Sequence, residues 1–121
     1  GGAAGGQNEA EPEKSFVSRL MAYMTEHIDG DLSLCTLSEK LHLNPYYLSR
    51  RFKELTGRTL TEVILRIRME TACELLKTTS YRISEIAQMV GYETAANFSK
   101  VFKKAMKMTP REYRDGEGTM Q

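Results

Sequence analysis

Two short stretches hold the residues best suited to chemistry on a polyanion. Leu48-Ser49-Arg50-Arg51-Phe52-Lys53 and Phe98-Ser99-Lys100-Val101-Phe102-Lys103 align at an offset of 50 residues. Each has an apolar residue, a serine, a base, a phenylalanine four places after the first residue, and then a lysine. A helix turns about 100° per residue, so side chains three and four apart share a face. On that geometry Leu48, Phe52 and Leu55 face inward, with Tyr46, Ser49, Arg50 and Lys53 opposite. In the second stretch Phe98, Phe102 and Ala105 are expected inward, and Ala96, Ser99, Lys100 and Lys103 outward. Each outer face offers small or hydrogen-bonding groups flanked by cations. Arg or Lys can reach guanine acceptors, serine can serve several bases, and the surplus cations can hold phosphates. The chemistry suits the major groove of duplex DNA. A single such stretch would read as an ordinary solvated face; the matched pair argues against that.

The elements that must position these stretches are helical throughout, and the predicted fold is all-α with about seven helices. The 3–4 spacing of Phe16, Val17, Leu20, Tyr23, Met24, His27 and Ile28 predicts a first amphipathic helix over about 13–28, ended by Gly30. A short second helix over 34–42 has Ser33 as N-cap and Leu34, Leu37 and Leu41 on its inner face. Asn44-Pro45 opens the third helix, which Gly57 stops after Thr56. Thr59-Leu60-Thr61-Glu62 is a capping box for a long fourth helix reaching about Lys77. Its Val63, Ile64, Ile67, Ala72, Leu75 and Leu76 make it a candidate strut. The pattern then recurs, because Ile83, Ile86 and Val90 space like Leu34, Leu37 and Leu41 at an offset of 49. Gly91 marks a turn, Thr94 caps a sixth helix to about Met106, and Thr109-Pro110-Arg111-Glu112 opens a seventh ending near Arg114. No strand-like alternation competes with these helices.

Each reading stretch is thus preceded by a short helix and a tight turn, the layout of a helix-turn-helix. Ala87 is small where two helices should approach, and Gly91 is free to take positive φ; Ser38 and His42 stand at the matching places of the first copy. The predicted organisation is a flexible linker or cloning scar over 1–13, a first helix-turn-helix subdomain over 14–58, a linker helix over 59–78, a second subdomain over 79–115 and a flexible tail over 116–121.

Bulk properties agree. The 121 residues suffice for one domain with a modest core. The net charge of +1 hides an asymmetry: residues 45–114 hold fourteen bases against seven acids, while residues 1–44 hold three bases and seven acids. A basic body suggests a polyanionic partner. No apolar run is long enough to span a membrane and no secretion leader is visible, so a cytoplasmic setting without membrane association is expected. Cys35 and Cys73 form no CxxC pair and are expected to be buried, inert residues in a reduced compartment. Met21, Met24, Met69, Met89 and Met106 fit helical core positions, and His27 and His42 have no partner at ligand spacing, so no metal and no cofactor is expected. The acids form no paired catalytic signature, and no catalytic residue is assigned.

Residues 32–114 resemble the DNA-binding domain of the AraC/XylS family of bacterial regulators. The resemblance rests on Tyr47-Leu48-Ser49-Arg50-Arg51-Phe52-Lys53, on Ile83-Ser84-Glu85-Ile86-Ala87 with Val90-Gly91-Tyr92, on Asn97 to Lys104, and on Met108-Thr109-Pro110-Arg111-Glu112-Tyr113-Arg114. It implies a seven-helix domain with two helix-turn-helix units in successive major grooves of double-stranded operator DNA, controlling transcription. By position it implies base reading by Tyr46, Ser49 and Arg50 and by Ala96, Asn97 and Lys100. Asn44, Tyr47, Lys53, Thr94, Ser99, Lys103 and Lys104 are expected to meet phosphates or flank the read bases. His42 departs from the common turn glycine, and Ala95 and Ala96 stand where many relatives carry polar residues, so the second helix should read fewer bases. The family usually couples this module to a small-molecule sensor or a phosphorylated receiver domain, and the chain reads as an excised C-terminal module worded like the response-regulator members. Family activators also touch RNA polymerase. A helical module that docks on polymerase or on a sensor domain is the alternative, and salt-dependent binding to duplex DNA separates the two. Some proteins with related domains repair DNA through a methyl-accepting cysteine, but Cys35 and Cys73 lie inside predicted helices, so no enzyme is expected.

Overall fold

The computed structural model describes residues 12–116, with side chains from residue 16 onward. Among the described residues there are seven helices and no strand: α1 (Pro12–Glu26), α2 (Leu34–Leu41), α3 (Pro45–Thr56), α4 (Leu60–Thr78), α5 (Ile83–Met89), α6 (Ala95–Met106) and α7 (Pro110–Gly116). The expected linker and tail lie outside the described residues except at their inner ends, where Pro12 and Glu13 belong to α1 and Gly116 to α7.

The helix starts are set by local side-chain chemistry. Ser33 accepts from the Thr36 N–H at 3.3 Å, and the Asn44 side-chain oxygen accepts from the N–H groups of Tyr46 and Tyr47 at 2.9 and 3.1 Å. Thr59 and Glu62 form the reciprocal capping box at 3.1 and 2.9 Å, and Thr109 and Glu112 repeat it at 3.0 and 2.9 Å. The Thr59 N–H bond holds the Glu62 carboxyl below its ordinary pKa. Helix α5 has only half a box: Arg82 has no acceptor side chain, so the Glu85 carboxylate alone closes on the Arg82 N–H at 2.8 Å.

The two turns are built alike. The Leu43 N–H donates to Ser38 O at 2.9 Å and the His42 N–H to Glu39 O at 3.2 Å; the Tyr92 N–H donates to Ala87 O at 2.8 Å and the Gly91 N–H to Gln88 O at 3.1 Å. Both are Schellman closures with a left-handed residue, His42 at φ 57° and Gly91 at φ 97°. The change of offset from 49 to 50 therefore has a location. Leu43 is followed at once by the cap Asn44, whereas Glu93 intervenes between Tyr92 and the cap Thr94. The second turn is one residue longer. At the close-approach positions Ser38 is buried with its hydroxyl donating to Cys35 O at 2.9 Å, and Ala87 is fully buried.

The chain divides into two units. Among the described residues, one comprises residues 12–27 with Leu32–Val63, the other Ile28–Asp31 with residues 64–116. In the first, α3 packs against α1 and α2, and Leu20, Met24, Leu37, Leu48 and Phe52 are fully buried. In the second, Met69, Ala72 and Leu76 of α4 meet Ile86, Ala87, Val90, Phe98 and Phe102 in one core. Rings run through it from Tyr92 to Phe98 (5.7 Å), Phe102 (5.6 Å) and Tyr113 (5.8 Å), favourable tilted and edge contacts. Arg114 closes the end of α4 by donating to Leu76 O at 3.0 Å and Thr79 O at 3.1 Å. Arg68 enters this unit from mid-helix, donating to Gly91 O (3.5 Å) and Gly30 O (3.3 Å), with its guanidinium 5.6 Å from the Tyr92 ring centre.

Several inward assignments are corrected. Leu34 is exposed because it is the first residue of α2, with no preceding turn to cover it. His27 lies past the end of α1 and is exposed, stacked on Tyr23 at 4.2 Å. Ala105 is exposed in the last turn of α6, where its methyl is too short to reach the core that Val101 and Met106 touch. Met89, closing α5, is also exposed, and so is Cys35. Cys73 is half-buried, and burial pushes its thiol pKa up, which keeps it protonated and a poor nucleophile.

Candidate nucleic-acid interface

Helix α3 exists because Asn44 and Pro45 start it and Gly57, at φ 79°, ends it with an N–H bond to Lys53 O of 2.8 Å. Its inner face is Leu48 and Phe52, both at zero exposure. That burial aims the opposite side outward: Tyr46, Tyr47, Ser49, Arg50 and Lys53 are all exposed, Tyr46 most among the large apolar residues at 73%. The Arg50 guanidinium lies 5.6 Å over the Tyr46 ring, one turn away. A cation stacked this way gives up part of its rotamer freedom before it meets a ligand. Arg51, by contrast, pairs with Glu54 at 3.1 Å.

Helix α6 repeats the scheme. Thr94 caps it by accepting from the Asn97 N–H at 3.0 Å, and Phe98 and Phe102 are fully buried. Ala96, Asn97, Lys100, Lys103 and Lys104 are exposed. Ser99 is half-buried, so it presents less of itself than Ser49 does. The helix ends on Lys107 at φ 67°, where α3 uses Gly57.

The named site residues therefore fall into two sets, one on α3 and its cap and one on α6 and its cap. Within each set the outward residues share a face. Asn44 and Thr94 do structural work as caps; their spare donors, the amide N–H groups and the hydroxyl O–H, remain for a ligand. Sequence reasoning missed the Tyr46–Arg50 stack, although its i,i+4 spacing is the signal for it. Two further features carry no such local signal: the Arg68 contacts and a cleft lined by Ser80, Arg82, Ile83, Ser84, Arg111 and Arg114. Among the described residues no group of three or more His, Cys, Asp or Glu could hold a metal ion, and no helix is long and apolar enough to cross a membrane.

Comparison with known proteins places this arrangement. Residues 37–116 match the family model of a helix-turn-helix domain. The MmsAB operon regulatory protein of Pseudomonas aeruginosa is 36% identical over 103 residues, covering 82% of this chain and 34% of that protein, so the chain spans about a third of its length. The regulatory protein SoxS of Escherichia coli is 34% identical, over 84% of this chain and 94% of its own. Among solved structures, the C-terminal domain of the response regulator AraT of Geobacillus stearothermophilus superposes with a TM-score of 0.80 at 41% identity, covering 88% of this chain and 87% of that one. These relatives share a regulatory, not an enzymatic, description. With a matching domain model over most of its length and two helix-turn-helix units built on one plan, the chain belongs to the AraC/XylS family of transcription regulators and comprises its DNA-binding domain.

Proposed function

We propose that α3 and α6 both read bases, in successive major grooves of one double-stranded operator. The observation that carries this reading is the matched pair of outer faces: each lies opposite a fully buried phenylalanine and bears exposed cations beside small polar or aromatic groups. Arg50 and Lys100 are the reading cations. Tyr46 and Ser49 flank the first, and Asn97, with an amide suited to adenine, flanks the second. Ala96 offers only a methyl, which suits a thymine methyl contact. Lys53, Lys103 and Lys104 take phosphates, with Asn44, Tyr47, Thr94 and Ser99 beside them.

The two faces differ in composition, so the two half-sites differ in sequence and one chain serves both without a twofold axis. Successive grooves on one face of B-DNA are about 34–36 Å apart, which is the spacing the two reading helices have to meet on the operator. Selection of bound sites from random duplex DNA, followed by footprinting of the single chain, tests the reading. The expected site is non-palindromic with two adjacent major grooves protected by a monomer. Protection of one groove, or a strictly palindromic site, overturns it. For the larger regulator, we propose an attached sensor or receiver domain and contact with RNA polymerase; the likeness to the AraT domain supports a receiver.

A further inference from the structure

The cleft between the start of α5 and helix α7 is lined by Ser80, Arg82, Ile83, Ser84, Arg111 and Arg114, three guanidinium groups and two hydroxyls without a carboxylate. Solvated basic surfaces are ordinarily interleaved with acids. Three acids adjoin the lining residues in sequence: Glu85 and Glu112 are turned back onto backbone N–H groups, those of Arg82 at 2.8 Å and Thr109 at 2.9 Å, and Asp115 is exposed and outside the lining. Arg82 and Arg111 are exposed and form no ion pair among the described residues. Arg114 is held in place by its bonds to Leu76 O and Thr79 O, which use its Nε–H and one terminal N–H and leave three of its five donors. A fixed guanidinium beside two free ones and two hydroxyls matches the donor demand of a tetrahedral oxyanion, which arginine engages through paired N–H bonds.

We propose that this cleft binds a phosphodiester of the DNA backbone beside the groove that α6 enters. The proposal rests on the DNA-reading function above. The cleft belongs to the same unit as α6 and opens at the start of α5. In a helix-turn-helix the first helix crosses the backbone while the second lies in the groove, and α5 is the first helix of this unit. A free phosphorylated molecule would satisfy the same donors, so the test separates the two sources.

The test variant is Arg82→Gln/Arg111→Gln; Arg114 is kept because it closes the end of α4. Both replaced side chains are exposed, and an unchanged thermal melt checks the fold. The variant should lose about ten- to a hundredfold in affinity at 0.1 M salt and flatten the log–log salt slope by about one unit, on specific and random duplex alike. The order of preferred bases should stay as in the parent chain. Ethylation of single phosphates should interfere at one position flanking the α6 half-site in the parent and not in the variant. An unchanged slope and interference pattern overturns the proposal. If, in addition, titration with inorganic phosphate shifts the Ser80 and Ser84 amide resonances saturably in the parent and not in the variant, the cleft serves a free phosphorylated ligand instead. Failure of the parent chain to bind any duplex overturns the DNA-reading function itself, which the slope comparison alone does not.

Discussion

Replacing Gly91 by alanine should reveal how tightly the second turn is packed. The residue sits at φ 97°, and a Cβ there would lie 2.6 Å from Ile28 O, 2.9 Å from Arg68 Cζ and 3.1 Å from an Arg68 terminal nitrogen. The left-handed backbone alone costs an L-residue roughly 1–2 kcal/mol. The overlap adds about 1–3 kcal/mol, in the range for overpacking, because one clashing atom is backbone. Arg68 cannot yield freely either, since it donates to Gly30 O at 3.3 Å and lies over the Tyr92 ring. The restricted unfolded chain returns about 0.4–1 kcal/mol. The net expectation is a loss of about 1–4.5 kcal/mol, centred on about 3 kcal/mol, a large share of a total of about 5–15 kcal/mol. Gly57→Ala is the internal control: φ is 79° there, but nothing lies within 4 Å of the added Cβ. It should lose only about 1 kcal/mol, the conformational part. Urea unfolding followed by helical circular dichroism measures both, each variant judged by the transition it moves, at constant slope. Losses equal to within about 0.5 kcal/mol would refute the argument, because packing around Gly91 would then contribute nothing.

Four further outcomes are expected. Arg50→Ala should weaken specific binding by about 1–3 kcal/mol and relax preference at one or two base pairs; equal loss on random DNA would reduce Arg50 to a phosphate contact. Neutralising Lys103 and Lys104 together should lower affinity for all sequences and flatten the salt slope by about one to two units, so an unchanged slope removes them from the interface. Phe102→Ala should cost about 3–5 kcal/mol in a thermal or urea melt, since the ring is fully buried between Phe98 and Tyr113; a shift of under a few degrees would contradict that burial. Lys107→Gly should stabilise by about 0.5–1 kcal/mol in the same melt, by relieving the left-handed strain at φ 67°; destabilisation would show that the Lys107 side chain makes contacts worth more than the strain.

What the sequence determined by itself is whatever depends on residues three or four apart. The starts of α2, α3, α4, α6 and α7 follow from Ser33, Asn44, Thr59, Thr94 and Thr109 bonding to backbone N–H groups one turn ahead. The faces of α3 and α6 follow from the same period, so the outward placement of Arg50, Lys100 and Lys103 is legible in the order of the residues alone. The exceptions lie at helix ends. Leu34, His27 and Ala105 have the right angle for the core but sit where no further turn or neighbour covers them, and periodicity knows angle, not coverage. Only the tertiary structure decided the rest. Arg68 reaches Gly91 across 23 positions and Gly30 across 38, and Arg114 reaches Leu76 across 38. The cleft at Arg82 and Arg111 needs the start of α5 brought to α7. Such contacts exist only once the chain has closed its long loops, and nothing in the local wording of either partner specifies the other.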